Sequence, residues 1–187
     1  TPFTGADFLR EPSAVHVFNF RASYEQEVEA QMNYLVNRLK LTRIGTLIQA
    51  DEFGLAIERY NIKAFKKHGL TPVVTTRYKR NTLDVERVAR KMTEARVDAV
   101  IFVGTYQPLN EVIRIMAAED HHPVFASVSF ISSQVLFDLI PAESKVLITE
   151  VVPYPMTCQL AVCQSFVQEA KKAGLDNINR VHFEGYL

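Results

Sequence analysis

Apolar residues come along this chain in two alternating rhythms, and the alternation predicts its architecture. The stretch that organises the rest is Ala99–Met116. Ala99–Val103 is an unbroken apolar run, too short for a helix and rich in β-branched side chains. That composition predicts a strand buried on both faces, as in a parallel sheet. Gly104 and Thr105 end the run, Pro108 suits the first turn of a helix, and Leu109, Val112, Ile113 and Met116 then recur at helical spacing. The unit is a strand, a tight loop and a helix, with Tyr106 at the carboxyl end of the strand. Ligands bind at that edge in open α/β sheets.

The same alternation runs through the chain. Val15–Phe20 alternates as a short strand would. Ser23 and Gln26 form a capping box ahead of a helix whose apolar face is Val28, Met32, Leu35, Val36 and Leu39, ending near Lys40. Arg43–Ala50 reads as a strand, Asp51–Gly54 as a turn, and Leu55–Lys67 as an amphipathic helix stopped by Gly69. Strands at Pro72–Tyr78, Val124–Val128 and Lys145–Val152 follow the same logic. So do helices at Asp84–Arg96, Ser132–Leu139 and Leu160–Ala173. About five strand–helix alternations at this spacing predict an α/β fold: a doubly wound, mostly parallel sheet with helices on both faces.

Composition narrows the function. The 187 residues carry 21 basic and 21 acidic side chains, so no basic excess supports binding to nucleic acid or to an anionic membrane. No apolar run approaches the ~20 residues that cross a bilayer, so direct membrane insertion is not expected. Cys158 and Cys163 are five apart, a spacing that allows a disulfide only outside regular helix; two unpaired thiols are the expectation.

The parallel sheet invites a nucleotide or catalytic reading, yet the seven glycines form neither G-x-G-x-x-G nor a phosphate loop, and G-x-S-x-G is missing. His121–His122 is an adjacent pair ahead of a strand, without metal-ligand spacing. Asp51–Glu52 is placed like the acidic pocket of a receiver domain, but Gly104–Thr105 stands where a phosphoacceptor belongs. Asp51 is therefore read as a helix cap. The strand ends that remain offer Asp51–Gly54, Gly104–Gln107 and Ser127–Phe130. Their aromatic faces, hydroxyls and helix-start amides can hold a small polar molecule but contain no acid–base pair for catalysis. Tyr106, Phe53, Ser129, Thr105 and Phe130 are the candidate ligand-binding residues. No cofactor and no metal are expected.

The order of segments resembles a known family. Ala22-Ser-Tyr24, the run from Arg43 through Asp51–Gly54, Phe65–Gly69, Tyr78–Asp84, Val97–Tyr106, Val128–Phe130, Val151–Pro153 and Phe183–Tyr186 stand in the order found in type I periplasmic solute-binding proteins of the branched-chain amino acid receptor group. The resemblance covers nearly the whole chain. It implies two α/β lobes that close on a solute, of which this chain is similar to the second. Residues 1–22 would be the approach from a first lobe, 23–180 the ligand-binding lobe, and 181–187 the start of a return element. By resemblance, Tyr106 and Phe53 contact solute, and Ser129 stands where amino acid receptors place the acid that takes the ammonium. The implied function is non-catalytic binding of a small extracytoplasmic solute, amino acid-like or a small carboxylate or amide, for ABC import. The implied partners are the solute and a transporter permease. The alternatives are a ligand-sensing domain joined to a receptor transmembrane domain, and a small α/β enzyme or signalling domain. The implied location is periplasmic or otherwise extracytoplasmic.

Overall fold

The computed structural model describes residues 2–131 and 133–187. Five parallel strands, β1 Ile44–Gln49, β2 Thr75–Tyr78, β3 Ala99–Val103, β4 Val124–Ser127 and β5 Lys145–Ile148, lie in the order β2-β1-β3-β4-β5. The long apolar run thus forms the central strand, every residue of β3 is buried, and the more exposed β2 and β5 take the edges. Side chains on β3 alternate between two cores, as a strand's twofold period requires. Val100 and Phe102 pack with Met92, Leu109, Val112 and Leu136, from helices α3 Glu86–Glu94, α4 Tyr106–Ala118 and α5 Ser133–Phe137. Ala99, Ile101 and Val103 pack with Val28, Met32, Ile57 and Phe65, from α1 Tyr24–Asn33 and α2 Glu52–Lys67.

The helix starts follow from capping chemistry. Ser23 and Gln26 exchange hydrogen bonds as a capping box, and Asp51 accepts from the Gly54 amide at 2.9 Å. The second cap starts α2 at Glu52, so the expected turn at Asp51–Gly54 is the first turn of the helix. A π-helical turn over Tyr34–Arg38 carries α1 on toward Lys40. The helix expected from Ser132 begins, within the described residues, at Ser133.

Two expectations are corrected. Val15–Phe20 is not a strand. Its backbone turns through Ala14 N–H to Glu11 and Val17 N–H to Ala14, while Asn19 donates its side chain to Leu9 O at 2.7 Å. With Val15 and Phe18 exposed and no neighbouring strand, local turns take the backbone groups a ladder would use. Nor are the cysteines free: Cys158 and Cys163 form a disulfide. Cys158 precedes helix α6 Ala161–Lys172 and Cys163 lies in its first turn, which brings their Cα atoms to 5.9 Å, within bridging range.

The chain divides into two compact units, one extending to Thr149 and one spanning Glu150–Leu187. The second holds α6, α7 Arg180–Tyr186 and a small core around Cys163, Phe166 and Phe183, with the two phenylalanine rings 5.2 Å apart.

Candidate functional site

In the order β2-β1-β3-β4-β5 the chain reverses direction across the sheet between β1 and β3. The helices that follow these two strands, α2 and α4, cover opposite faces. Outside the carboxyl ends of these strands lies the crevice where open α/β sheets bind ligands. The register brings the ends together: Ile48 pairs with Val103, Phe102 with Ser127, and Ser127 with Ile148. The three candidate loops therefore leave three adjacent strands, β1, β3 and β4, on one edge.

Each loop is held from below. After β1, Tyr78 donates its hydroxyl to Gln49 at 3.2 Å, Gln49 donates to Asp51 at 2.6 Å, and Asp51 caps α2. Burial pushes the Tyr78 phenol well above its ordinary range, so it stays a donor. This chain fixes the first turn of α2 and with it the half-buried Phe53. The ring of Phe53 lies 5.5 Å from Tyr24, edge-on, and 5.0 Å from Phe130. Phe130, on the loop after β4, is 40% exposed and also meets Phe3 at 6.3 Å. Two candidates from loops on either side of β3 thus share one aromatic wall. After β3, Tyr106 opens α4 and packs half-buried against the core of α3, α4 and α5, while Thr105 is exposed at the cap position without a side-chain cap bond.

Ser129 is different. It is 7% exposed, and both its hydrogen-bonding groups are engaged inside the protein. Its amide donates to Glu27 Oε2 at 2.7 Å, its hydroxyl donates to Glu27 Oε1 at 2.9 Å, and the same hydroxyl accepts from Arg21. Thr149, just past β5, donates to Glu27 Oε2 at 2.6 Å and accepts from Gln31 at 3.1 Å. Glu27 and Arg21 are each 3% exposed, and the Arg21 guanidinium also lies 4.6 Å over the Phe3 ring. None of Glu27, Arg21, Gln31 or Thr149 stood among the candidates from sequence. The available signal was faint: Glu27 and Gln31 are four apart, side by side on α1 next to its apolar stripe.

A groove of about 580 Å³ borders the site, lined by Asp7, Phe8, Tyr24, Phe53, Arg59 and Lys63 among others. Phe53 belongs to both, with Glu52 and Tyr24 beside it. Two of the charged groups lining the groove are engaged within the protein: Asp7 accepts the Tyr60 hydroxyl and Lys63 pairs with Glu25 at 3.0 Å. The loops of the sheet edge, with their exposed aromatic and hydroxyl groups, are the better candidate. Among the described residues, no group of three or more His, Cys, Asp or Glu is placed to hold a metal ion. Among the same residues, no helix is long and apolar enough to cross a membrane. His121 lies in the loop before β4 and is bonded through Nε2 to Val97 O at 2.8 Å.

Comparison with known proteins agrees with this architecture. A family model described as "Periplasmic binding protein" matches residues 2–186. No curated protein matches the chain. Among solved structures, a possible leucine/isoleucine/valine-binding protein from Rhodopirellula baltica SH 1 is 29% identical with a TM-score of 0.87, covering 98% of this chain and 51% of that one. A branched-chain amino acid ABC transporter structure from Thermus thermophilus with bound valine is 16% identical with a TM-score of 0.79, over 97% and 49%. A fatty acid ABC transporter substrate-binding protein from Thermomonospora curvata is 16% identical with a TM-score of 0.74, over 89% and 44%. The last two likenesses are of fold alone. The chain spans about half the length of these structures, in keeping with one lobe of their architecture. With nearly every residue matched by the family model and the doubly wound sheet in common, the chain belongs to the periplasmic binding proteins and has the fold of one lobe of their type I form.

Proposed function

We propose that the chain is the solute-facing second lobe of a non-catalytic, extracytoplasmic binding protein that captures a small solute for an ABC importer. The observation that carries this reading is the convergence of loops from β1, β3 and β4 on one edge, with Phe53 and Phe130 5.0 Å apart across the end of β3. Residues 1–22 are the approach from a first lobe and 181–187 lead into the return. Solute lies between the lobes, and closure over it is linked to binding. The name of the Rhodopirellula relative supports a solute near the branched-chain amino acids in size.

Tyr106, Phe53, Phe130 and Thr105 line the solute face in this reading, and Ser129 supports it from beneath. The amide and hydroxyl of Ser129 are bonded inward, and the carboxylate behind it is buried and accepts three hydrogen bonds. The usual handhold for an ammonium is therefore not presented at this position. The preferred solute is an amide, a small carboxylate or an amino acid-like molecule whose amine is held elsewhere.

The test is a calorimetric screen of the complete protein against amino acids, amides, aromatic acids and short carboxylates, repeated on Tyr106→Ala. That substitution removes an aromatic face and a hydroxyl, together worth roughly 1.5–3 kcal/mol, or about ten- to a hundredfold in affinity. Unchanged affinity removes Tyr106 from the site. Tight binding of valine or leucine through an ammonium contact at the β4 loop overturns the solute class.

A further inference from the structure

We infer that Glu27 is a positioning residue for the solute face: from α1, its carboxylate holds the loop after β4 in the one arrangement that sets Phe130 against Phe53. The inference deepens the solute-site reading and rests on it for its functional consequence.

The hydrogen-bond directions are internally consistent, which is what a purpose-built network requires. Gln31 donates to the Thr149 hydroxyl, and that hydroxyl donates to Glu27. From the other side Arg21 donates to the Ser129 hydroxyl, which also donates to Glu27. Each hydroxyl gives its one proton inward and accepts once. The Ser129 amide completes the set at 2.7 Å, so Glu27 accepts three bonds. One is from the backbone of the loop itself, which is the part that matters for positioning. A side-chain bond can be lost while a loop keeps its path, but a backbone amide fixed by a carboxylate fixes the next residue as well. That residue is Phe130, 40% exposed and held otherwise by its contacts with the Phe53 and Phe3 rings. The carboxylate also ties β4 to β5, since Thr149 leaves the sheet edge one residue past β5. An uncharged amide at position 27 keeps one acceptor oxygen and turns a donor toward the remaining hydroxyl. It cannot satisfy all three groups.

The experiment is nuclear magnetic resonance on the 187-residue chain as wild type and Glu27→Gln. Amide exchange at Ser129 should quicken by at least about tenfold while Ile101, in the central strand, keeps its rate. Cross-relaxation between the Phe53 and Phe130 rings should weaken, while that between Tyr78 and Phe102, stacked at 5.8 Å, stays. A merely structural role moves Ser129 and Ile101 together, and that result overturns the inference. So does no change at Ser129 or Phe130. Should Glu27→Gln fail to fold, Thr149→Val removes one donor to the same carboxylate. It is read the same way, with about threefold faster exchange at Ser129 expected. A second arm titrates the complete protein with L-valine, benzoate, benzamide and butyrate. If one binds, Glu27→Gln should weaken it by at least about tenfold, and equal affinity overturns the role. If none binds, the solute reading fails, while exchange and ring contacts still decide the role of Glu27.

Discussion

Gly54 is where the first turn of α2 meets the end of β1, and replacing it with alanine is a sharp test of how Phe53 is placed. A Cβ built at Gly54 falls 2.9 Å from Ile48 Cγ2 and 2.9 Å from the Gln49 carbonyl carbon, with the Gln49 oxygen closer still, whereas ordinary contact begins at 3.4 Å. The obstacle is strand backbone, paired with β2 and β3 on either side, so it cannot swing away. The helix start must move by at least half an ångström. Its Gly54 amide then leaves the Asp51 carboxylate it meets at 2.9 Å. Overpacking of this kind costs about 1–3 kcal/mol, and alanine's better helix propensity returns less than about 1 kcal/mol of it. The expected net loss is roughly 1–2 kcal/mol, a fall in melting temperature of about 2–8 °C for a chain of this size. Gly185 is the control: it lies in α7 with nothing within 4 Å of its added Cβ, so Gly185→Ala should hold or raise stability. The assay is thermal unfolding followed by circular dichroism, with the Phe53–Phe130 ring contact read by magnetic resonance. If Gly54→Ala melts at or above the wild type with that contact intact, the tight helix–strand junction is not what orients Phe53, and the reasoning fails.

Two further expectations concern the core and its tyrosines. Phe102 is fully buried in β3 and stacked on Tyr78, so Phe102→Ala should cost about 3–5 kcal/mol in urea unfolding, and wild-type amides of Ile101 and Phe102 should be among the slowest to exchange; a loss below about 1 kcal/mol would remove β3 from the centre of the core. Burial, and for Tyr60 also its bond to Asp7, raises the Tyr78 and Tyr60 phenols above the ordinary value of 10.0. The folded state therefore binds these protons more tightly than the unfolded one: the stabilisation is complete below pH 10 and declines as pH rises above it. Tyr78→Phe should flatten that alkaline decline, and an identical pH profile would refute the assignment.

The fold was legible because its signals are local. An unbroken apolar run gave β3, helical spacing gave α2 and α4, the Ser23–Gln26 spacing gave one cap, and the Asp51 carboxylate ahead of a helix gave another. Where the sequence misled, the deciding partner lay elsewhere. Val15–Phe20 has the alternation of a strand, but a strand exists only beside another, and the five-strand sheet offers this segment no neighbour. The upstream end of Pro72–Tyr78 shows the same limit at smaller scale. Pro72 has no donor, and regular pairing begins only at Thr75. For the cysteines, spacing permitted both outcomes. What decided between them was the start of α6 at Ala161, which leaves Cys158 outside the helix and Cys163 within reach.

The site was less legible, and Ser129 shows why. In sequence it is a neutral residue at a position where the resemblance leads one to expect an acid, so it reads as charge removed. In the folded chain a carboxylate stands directly behind it, supplied from 102 residues away, together with an arginine 108 residues away on the same hydroxyl. No spacing rule connects positions so far apart. Charge has therefore not been removed from the β4 loop but moved inward and matched with its opposite. A carboxylate and a guanidinium sharing one serine oxygen present to the outside the field of a short dipole, which falls away much faster than that of a single ion. In the proposed site this leaves the aromatic faces of Phe53 and Phe130 and the hydroxyls of Tyr106 and Thr105 as the groups proposed to discriminate. On that proposal the buried charges would act on the solute through the shape of the loop they hold.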